Sequence, residues 1–330
     1  MTRPRFPWVV VALALMLAAA IAASLLFGAR GVLALRLTEL MADPASRSPD
    51  ATVLWQQRVP RTLAGVAAGV GLGLAGVLTQ SMTRNRLADP GLLGVAPGAA
   101  FAVTVAVAWN AHLALRDQMW VGLVGAGVVT SAVYLLGRKA SPARLVLAGV
   151  AIGSVFSGLS SAIALRNPDA FDRMRRWGAG ALGGRSIGDI VDFVPFAIVG
   201  IPVCFALARS LDLLELGDDT ASMLGLNVTT TRAMITAAVA LLVGSATALV
   251  GPVSFVGLII PHLMHPFAGA RHARLLLLTA LASPTLVLGA DVLGRTLPLS
   301  GELPVGIVTA LLGGTMLALL VGGRQWRART

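Results

Sequence analysis

Few residues in this chain could do chemistry, and their placement narrows what the chain can be. His262 follows Pro261 inside an apolar run, Cys204 stands alone in another, and Lys139, the one lysine, lies in the turn Arg138-Lys139-Ala140-Ser141-Pro142. An ion-coupled carrier needs carboxylates or histidines deep in the bilayer to bind its proton or cation. A hydrolase needs an acid, a base or metal ligands held in mutual reach. No acidic residue falls in the middle of an apolar run, and His262 has no carboxylate in its own run, so it reads as a packing or interfacial histidine. A single cysteine allows no disulfide and no thiolate cluster within one chain. No G-x-x-x-x-G-K-[ST] loop is present, so phosphates are not cradled in that way. No catalytic residue, metal site or cofactor is therefore expected. Uphill transport would have to draw its energy from a separate subunit.

The arginines and glycines carry the positive signals. Arg58-Val59-Pro60-Arg61 opens an apolar, glycine-dense segment that runs to Thr79, and a short polar hinge, Gln80–Pro90, leads at once into a second apolar segment. Two membrane-length segments joined by so short a hinge must lie side by side. Gly65, Gly69 and Gly73 recur every four residues on one helix face, the spacing that lets helix backbones approach closely in lipid. With Gly71 and Gly76 widening the strip, this segment reads as a central helix contacted on several sides. Gly94 with Gly98, and Gly149 with Gly153, repeat the spacing.

The elements that must position these residues are membrane spans. Of 330 residues, 56% are hydrophobic and 12% charged, where a soluble domain carries roughly 25% charged residues. The formal charge of +11 does not form a basic face, because the arginines sit between apolar runs, and nucleic-acid binding is excluded on that ground. The chain is expected to be an all-α polytopic membrane protein, a single transmembrane domain over residues 1–330 with about ten spans. They are placed at about 8–27, 60–80, 91–109, 118–136, 145–165, 189–209, 231–250, 253–267, 275–294 and 304–322. The first is too long for a usual signal-peptide core. An interfacial helix is expected near Val32–Met41, an external loop at 166–188, and a polar segment with its own apolar pattern at 212–227. Both termini then lie on one side, and net charge favours the cytoplasm.

Several motifs together carry a family resemblance. RVPRTLAG and AGVLTQSMTRNRLADPGLLGVAPGAA resemble the FecCD/BtuC-type permeases of ABC importers for iron-siderophores, haem and vitamin B12. LAGVAIGSVFSGLSSAI, WGAGALGG, LELGDDTASMLGLNV, GPVSFVGLIIPHLMHPFAG and ADVLGRTLPLSGELPVGIVTALLGG match in the same order, covering about residues 50–320.

The resemblance implies a type II ABC importer permease fold of ten helices in a bacterial cytoplasmic (inner or plasma) membrane. The implied partners are a second permease subunit (a homodimer or a close homologue), two ABC ATPase subunits, an extracytoplasmic substrate-binding protein and membrane lipid. It implies translocation of a metal chelate, a ferric siderophore or haem, by alternating access along a path lined by helices 5 and 10. A vitamin B12 importer and an ion-gradient-driven transporter are the alternatives. Arg58, Arg61 and Arg295 match the positions that pair with glutamates of the binding protein. Segment 212–227 matches the cytoplasmic coupling helices, with Asp212, Gly217, Asp219, Ala221, Leu224 and Gly225 as its coupling residues. There Asp219 is expected to cap a short helix from Thr220, and Gly225 to end it. Three positions depart from the family pattern: Arg86 replaces a hinge proline, His265 a common arginine, and Gly313-Gly314-Thr315-Met316-Leu317 the usual Gly-x-Pro-x-Phe.

Overall fold

A computed structural model describes residues 6–28, 48–110, 114–137, 142–297 and 301–327. The interfacial helix expected near Val32–Met41 lies outside them. The helices are α1 (Phe6–Leu26), α2 (Pro49–Val53), α3 (Val59–Thr83), α4 (Val95–Trp109), α5 (Leu115–Gly137), α6 (Pro142–Arg166), α7 (Pro168–Gly178), α8 (Ile187–Ala206), α9 (Ala208–Leu214), α10 (Asp218–Met223), α11 (Val228–Val250), α12 (Val256–Ala268), α13 (His272–Thr296) and α14 (Val305–Arg327). Among the described residues, seven segments are long and apolar enough to cross a membrane, and three shorter apolar helices, Val95–Trp109, Val256–Ala268 and Val305–Leu319, bring the set to the ten expected.

Helix α3 is the axis of the bundle. Its apolar window is 78% buried, and it packs against α13, α11, α12 and α8. A π-helical turn, Leu54–Arg58, leads into it, so α2, the turn and α3 form one rod of 35 residues, Pro49–Thr83. The glycine strip explains the crowding. A Cβ on Gly69 would stand 2.5 Å from Pro284 Cα, and one on Gly73 2.0 Å from Ser283 Oγ, both on α13. Gly65 faces Leu288 of the same helix, Gly71 faces α11, and a Cβ on Gly76 would lie 2.0 Å from the Gly257 carbonyl of α12. Each of three neighbours meets bare backbone.

Proline positions decide where polar groups must intrude. Pro261, inside α12, has no N–H to satisfy the Gly257 carbonyl one turn earlier. Gln80 of α3 supplies the donor: its Nε2 lies 3.2 Å from Gly257 O and 2.9 Å from Leu258 O.

The structure shifts four sequence expectations. Gly94 is not part of the α4 strip: it sits at φ +79° between a 3₁₀ turn, Pro90–Leu93, and α4. Segment 166–188 is not a plain loop, because Asn167 caps the eleven-residue helix α7 through the Ala170 amide. Asp219 does not cap α10. That helix begins two residues earlier, with Gly217 at φ +105° as its N-cap, so Asp218 and Asp219 both fall in its first turn. The span expected at 189–209 ends at Ala206, and Leu207 turns the chain into α9. The exit of α10 follows expectation: Gly225 takes φ +87° and Leu226 N–H donates to Ala221 O at 3.0 Å.

Candidate functional site

Two polar clusters mark the two ends of α3, separated by about 37 Å of helix at 1.5 Å per residue. The first, at the arginine end, brings together all three arginines singled out from the sequence, around a residue that was not. Asp291, only 1% exposed, lies on α13 facing α3. Arg61 Nε lies 3.1 Å from both of its carboxylate oxygens, and Arg61 Nη2 lies 2.9 Å from Oδ1. Arg295, one turn along α13, reaches Asp291 Oδ2 at 3.0 Å. Burying a carboxylate among apolar helices is tolerable only when it is paired and hydrogen-bonded, and the two guanidiniums meet that condition.

The remaining N–H groups stitch the end of α1 to the bundle. Arg58 Nη1 donates to Leu25 O at 2.6 Å and to Leu26 O at 2.8 Å, which satisfies carbonyls left open where α1 stops. Arg295 donates to the Ser24 carbonyl at 3.3 Å and to its hydroxyl at 3.2 Å, while Ser24 Oγ lies 2.8 Å from Thr62 Oγ1. Arg61 Nη1 makes the one contact that faces outward, to Glu302 Oε2 at 2.7 Å. A cavity of about 500 Å³ opens over the cluster, lined by Arg58, Arg61, Arg295, Glu302, Gly183 and Gly184 among others. Beside it two of the sequence motifs meet through their backbones, Gly306 N–H donating to Gly180 O at 3.1 Å, and Ala181 N–H donates at 2.8 Å to Val250 O, the residue before a third.

The second cluster is at the hinge end. Helix α3 stops at Arg84, which takes a left-handed φ of 50° and is followed by an Asn85 N–H bond to Gln80 O. His272, at the start of α13 and 3% exposed, links three elements. Its Nδ1 lies 2.7 Å from Asp212 Oδ1 on α9, and its Nε2 lies 2.7 Å from Ser81 Oγ on α3. Asp212 also accepts from the His272 backbone N–H at 2.8 Å, capping α13 from outside. Asp218, in the first turn of α10, pairs with Arg84 at the end of α3 and, at 2.8 Å, with Arg232 of α11. Segment 212–227 is thus anchored to α3, α11 and α13 by Asp212 and Asp218. Its other side is left outward: Met223 is 86% exposed, and Leu224 and Leu216 are exposed beside it, while Ala221 is buried against the bundle.

A cavity of about 420 Å³ opens next to this anchor, lined by Arg86, Glu215, His265, Arg271 and His272 among others. Arg86 and His265, two of the three departures from the family pattern, therefore face one space. The third departure leaves Gly313 against Phe255, whose backbone is held at φ 69° where the chain breaks between α11 and α12.

Sequence reasoning missed Asp291, Glu302, His272 and Gln80, and the pairing of Asp218 with Arg84 and Arg232. Asp291 had a signal: it stands four residues before Arg295, the i,i+4 spacing of a helical ion pair. Gln80 had one in Pro261, which announces an orphan carbonyl. Nothing local points from His272 to Ser81, 191 positions away. Among the described residues no group of three or more His, Cys, Asp or Glu is placed to hold a metal ion.

Comparison with known proteins bears on the family and the fold. A sequence model of the FecCD transport family matches residues 15–322. The chain is 43% identical over 314 residues to the ferric enterobactin transport system permease protein FepD of Escherichia coli K12, covering 94% of this chain and 93% of that one. It is 35% identical over 282 residues to the hemin transport system permease protein HmuU of Yersinia pestis, covering 82% and 84%. A solved structure of a metal-chelate type ABC transporter in an inward-facing conformation superposes with a TM-score of 0.86, at 28% identity, over 96% of this chain and 99% of that one.

Proposed function

The chain belongs to the FecCD transport family, and on that premise we propose that it is the membrane permease of an ATP-driven importer for a metal chelate, a ferric siderophore or haem. The cargo reading is supported by FepD and HmuU, whose names give ferric enterobactin and hemin as their substrates. ATP is hydrolysed by a separate pair of subunits. A second permease copy, or a close homologue, completes the path.

The observation that carries the mechanism is that one rod, Pro49–Thr83, bears the arginine cluster at one end and the anchors of segment 212–227 at the other. In this reading the arginine end faces outward and receives the loaded binding protein, and both chain termini lie in the cytoplasm. Carboxylates of the binding protein meet the basic cluster, where such pairs set orientation and on-rate more than affinity. Segment 212–227 seats its exposed Met223 and Leu224 on the ATPase, with Asp219 beside them. ATP-driven approach of the ATPases pushes on α9 and α10. Asp212 through His272, and Asp218 through Arg84, pass that push to α13 and α3. Because α3 meets its neighbours along bare backbone at Gly65, Gly69 and Gly73, it shifts as a rigid element, which is what alternating access requires.

Reconstitution tests this. Vesicles holding the permease with its ATPase should take up a ferric siderophore only with ATP and the loaded binding protein, and that protein should stimulate ATP hydrolysis. Uptake driven by a proton or sodium gradient without the ATPase would sink the reading.

A further inference from the structure

The cavity at the arginine end holds a carboxylate of its own, and its three arginines are not equivalent. Arg58 spends its Nη1 on the Leu25 and Leu26 carbonyls, inside the protein. The Arg295 side chain is 3% exposed and bonded to Ser24 and Asp291. Arg61 is divided: Nε and Nη2 hold buried Asp291, while Nη1 holds Glu302, whose side chain is 50% exposed. Among the described pairings of Arg61 and Arg295, the Arg61–Glu302 one is the one a solvent-borne carboxylate can reach.

Building on the docking reading above, we propose that Glu302 is a resident counter-ion of Arg61 that an incoming carboxylate of the docking protein displaces, while Arg58 and Arg295 hold the frame. The cavity of about 500 Å³ has room for a carboxylate side chain. Its rim at Gly183 and Gly184 carries no side chains, and a Cβ on Gly183 would stand 3.4 Å from Arg61 Nη1, so a larger residue there would crowd that nitrogen. Exchange keeps the charge count of the cluster unchanged, since one carboxylate leaves as another arrives. A half-exposed ion pair is a weak holder, as an exchangeable partner should be.

Exchange also has a route to the path. Glu302 lies just before α14; among the described residues beside it, Leu303 N–H donates to Gly294 O at 3.0 Å and Gly306 N–H to Gly180 O at 3.1 Å. Freeing Glu302 removes a side-chain tie next to these two backbone ones. Docking would thereby loosen the entry to α14.

The experiment uses the permease with its ATPase in lipid nanodiscs and, as probe, the loaded binding protein that stimulates ATP hydrolysis in the reconstitution above, with binding kinetics read by interferometry. Glu302→Gln should tighten binding about three- to five-fold, mainly through a faster on-rate, because a weak internal competitor is removed. Arg61→Gln should weaken binding at least as much, and the double variant should bind no tighter than Arg61→Gln alone. Binding unchanged or weakened in Glu302→Gln, with Arg61→Gln weakened, overturns the exchange and leaves the docking reading standing. Binding unchanged in Arg61→Gln overturns both. A second measurement needs no variant: amide exchange at Leu303 should quicken in the docked complex, and an unaltered or slower rate counts against the proposal.

Discussion

Arg61 and Asp291 are 230 positions apart in the chain, yet Arg61 Nη2 sits 2.9 Å from Asp291 Oδ1 with Nε bonded to both carboxylate oxygens. The pair joins the start of α3 to the end of α13, the two helices that also meet at Gly69 and Pro284. Asp291 serves Arg295 as well, so two guanidiniums share one carboxylate in the bundle.

Replacing Asp291 should therefore be costly. Asp291→Ala leaves Arg61 and Arg295 facing each other without their shared anion, and breaking a buried ion pair costs about 3–5 kcal/mol. The thermal midpoint of the detergent-solubilised permease should fall by on the order of 5–10 °C. A shift of a degree or less would mean the cluster is solvated rather than buried.

The glycine strip gives a contrast within one protein. Gly69→Ala places a methyl 2.5 Å from Pro284 Cα, a backbone atom that cannot turn aside, whereas Gly127 on α5 has nothing within 4 Å of a Cβ. Overpacking costs about 1–3 kcal/mol and more when backbone must move, while alanine in an open helical site gains slightly over glycine. Yield of folded, monodisperse protein should drop sharply for Gly69→Ala and hold for Gly127→Ala.

The hinge-end anchor can be probed through function. Asp212→Ala removes the oxygen that accepts both the ring and the backbone N–H of His272. Hydrogen bonds to a charged group contribute about 1.5–3 kcal/mol, so α9 should loosen from α13 without the bundle unfolding. Stimulation of ATP hydrolysis by the loaded binding protein should fall several-fold, with basal hydrolysis kept. Asp212→Asn, which retains an acceptor oxygen, should restore part of it.

Asp89 offers a test by pH. Burial pushes its carboxyl above the ordinary aspartate value, and the Gly91 and Phe255 backbone amides pull it down less strongly. A carboxyl raised in the folded state contributes stability that is present at low pH and lost as pH rises through that raised value. Asp89→Asn keeps an oxygen for the Gly91 N–H, 2.8 Å away in the parent, and cannot ionise. The variant should melt higher than the parent near pH 7, with the gap closing as pH falls towards about 4, the unfolded aspartate value. A lower midpoint at neutral pH would refute the burial argument.

The sequence by itself determined the class of molecule, because apolar runs of membrane length and so few charges leave no other way to bury the chain. It also marked α3 as central, since glycines four apart have one efficient use in lipid, and it marked the exit of the short helix in 212–227 at Gly225 while missing its start at Gly217. Tertiary structure alone decided which polar groups share an anion. Arg58, Arg61 and Arg295 read alike as exposed loop arginines, but the fold buries two of them and leaves one N–H of the third facing outward. Only packing could decide that, because a side chain's partner across the bundle is set by how helices cross. Ser81 and His272 make the same point: neither residue has a local reason to find the other, and the register of α3 against α13, fixed by bare backbone at Gly69 and Gly73, is what brings them to 2.7 Å.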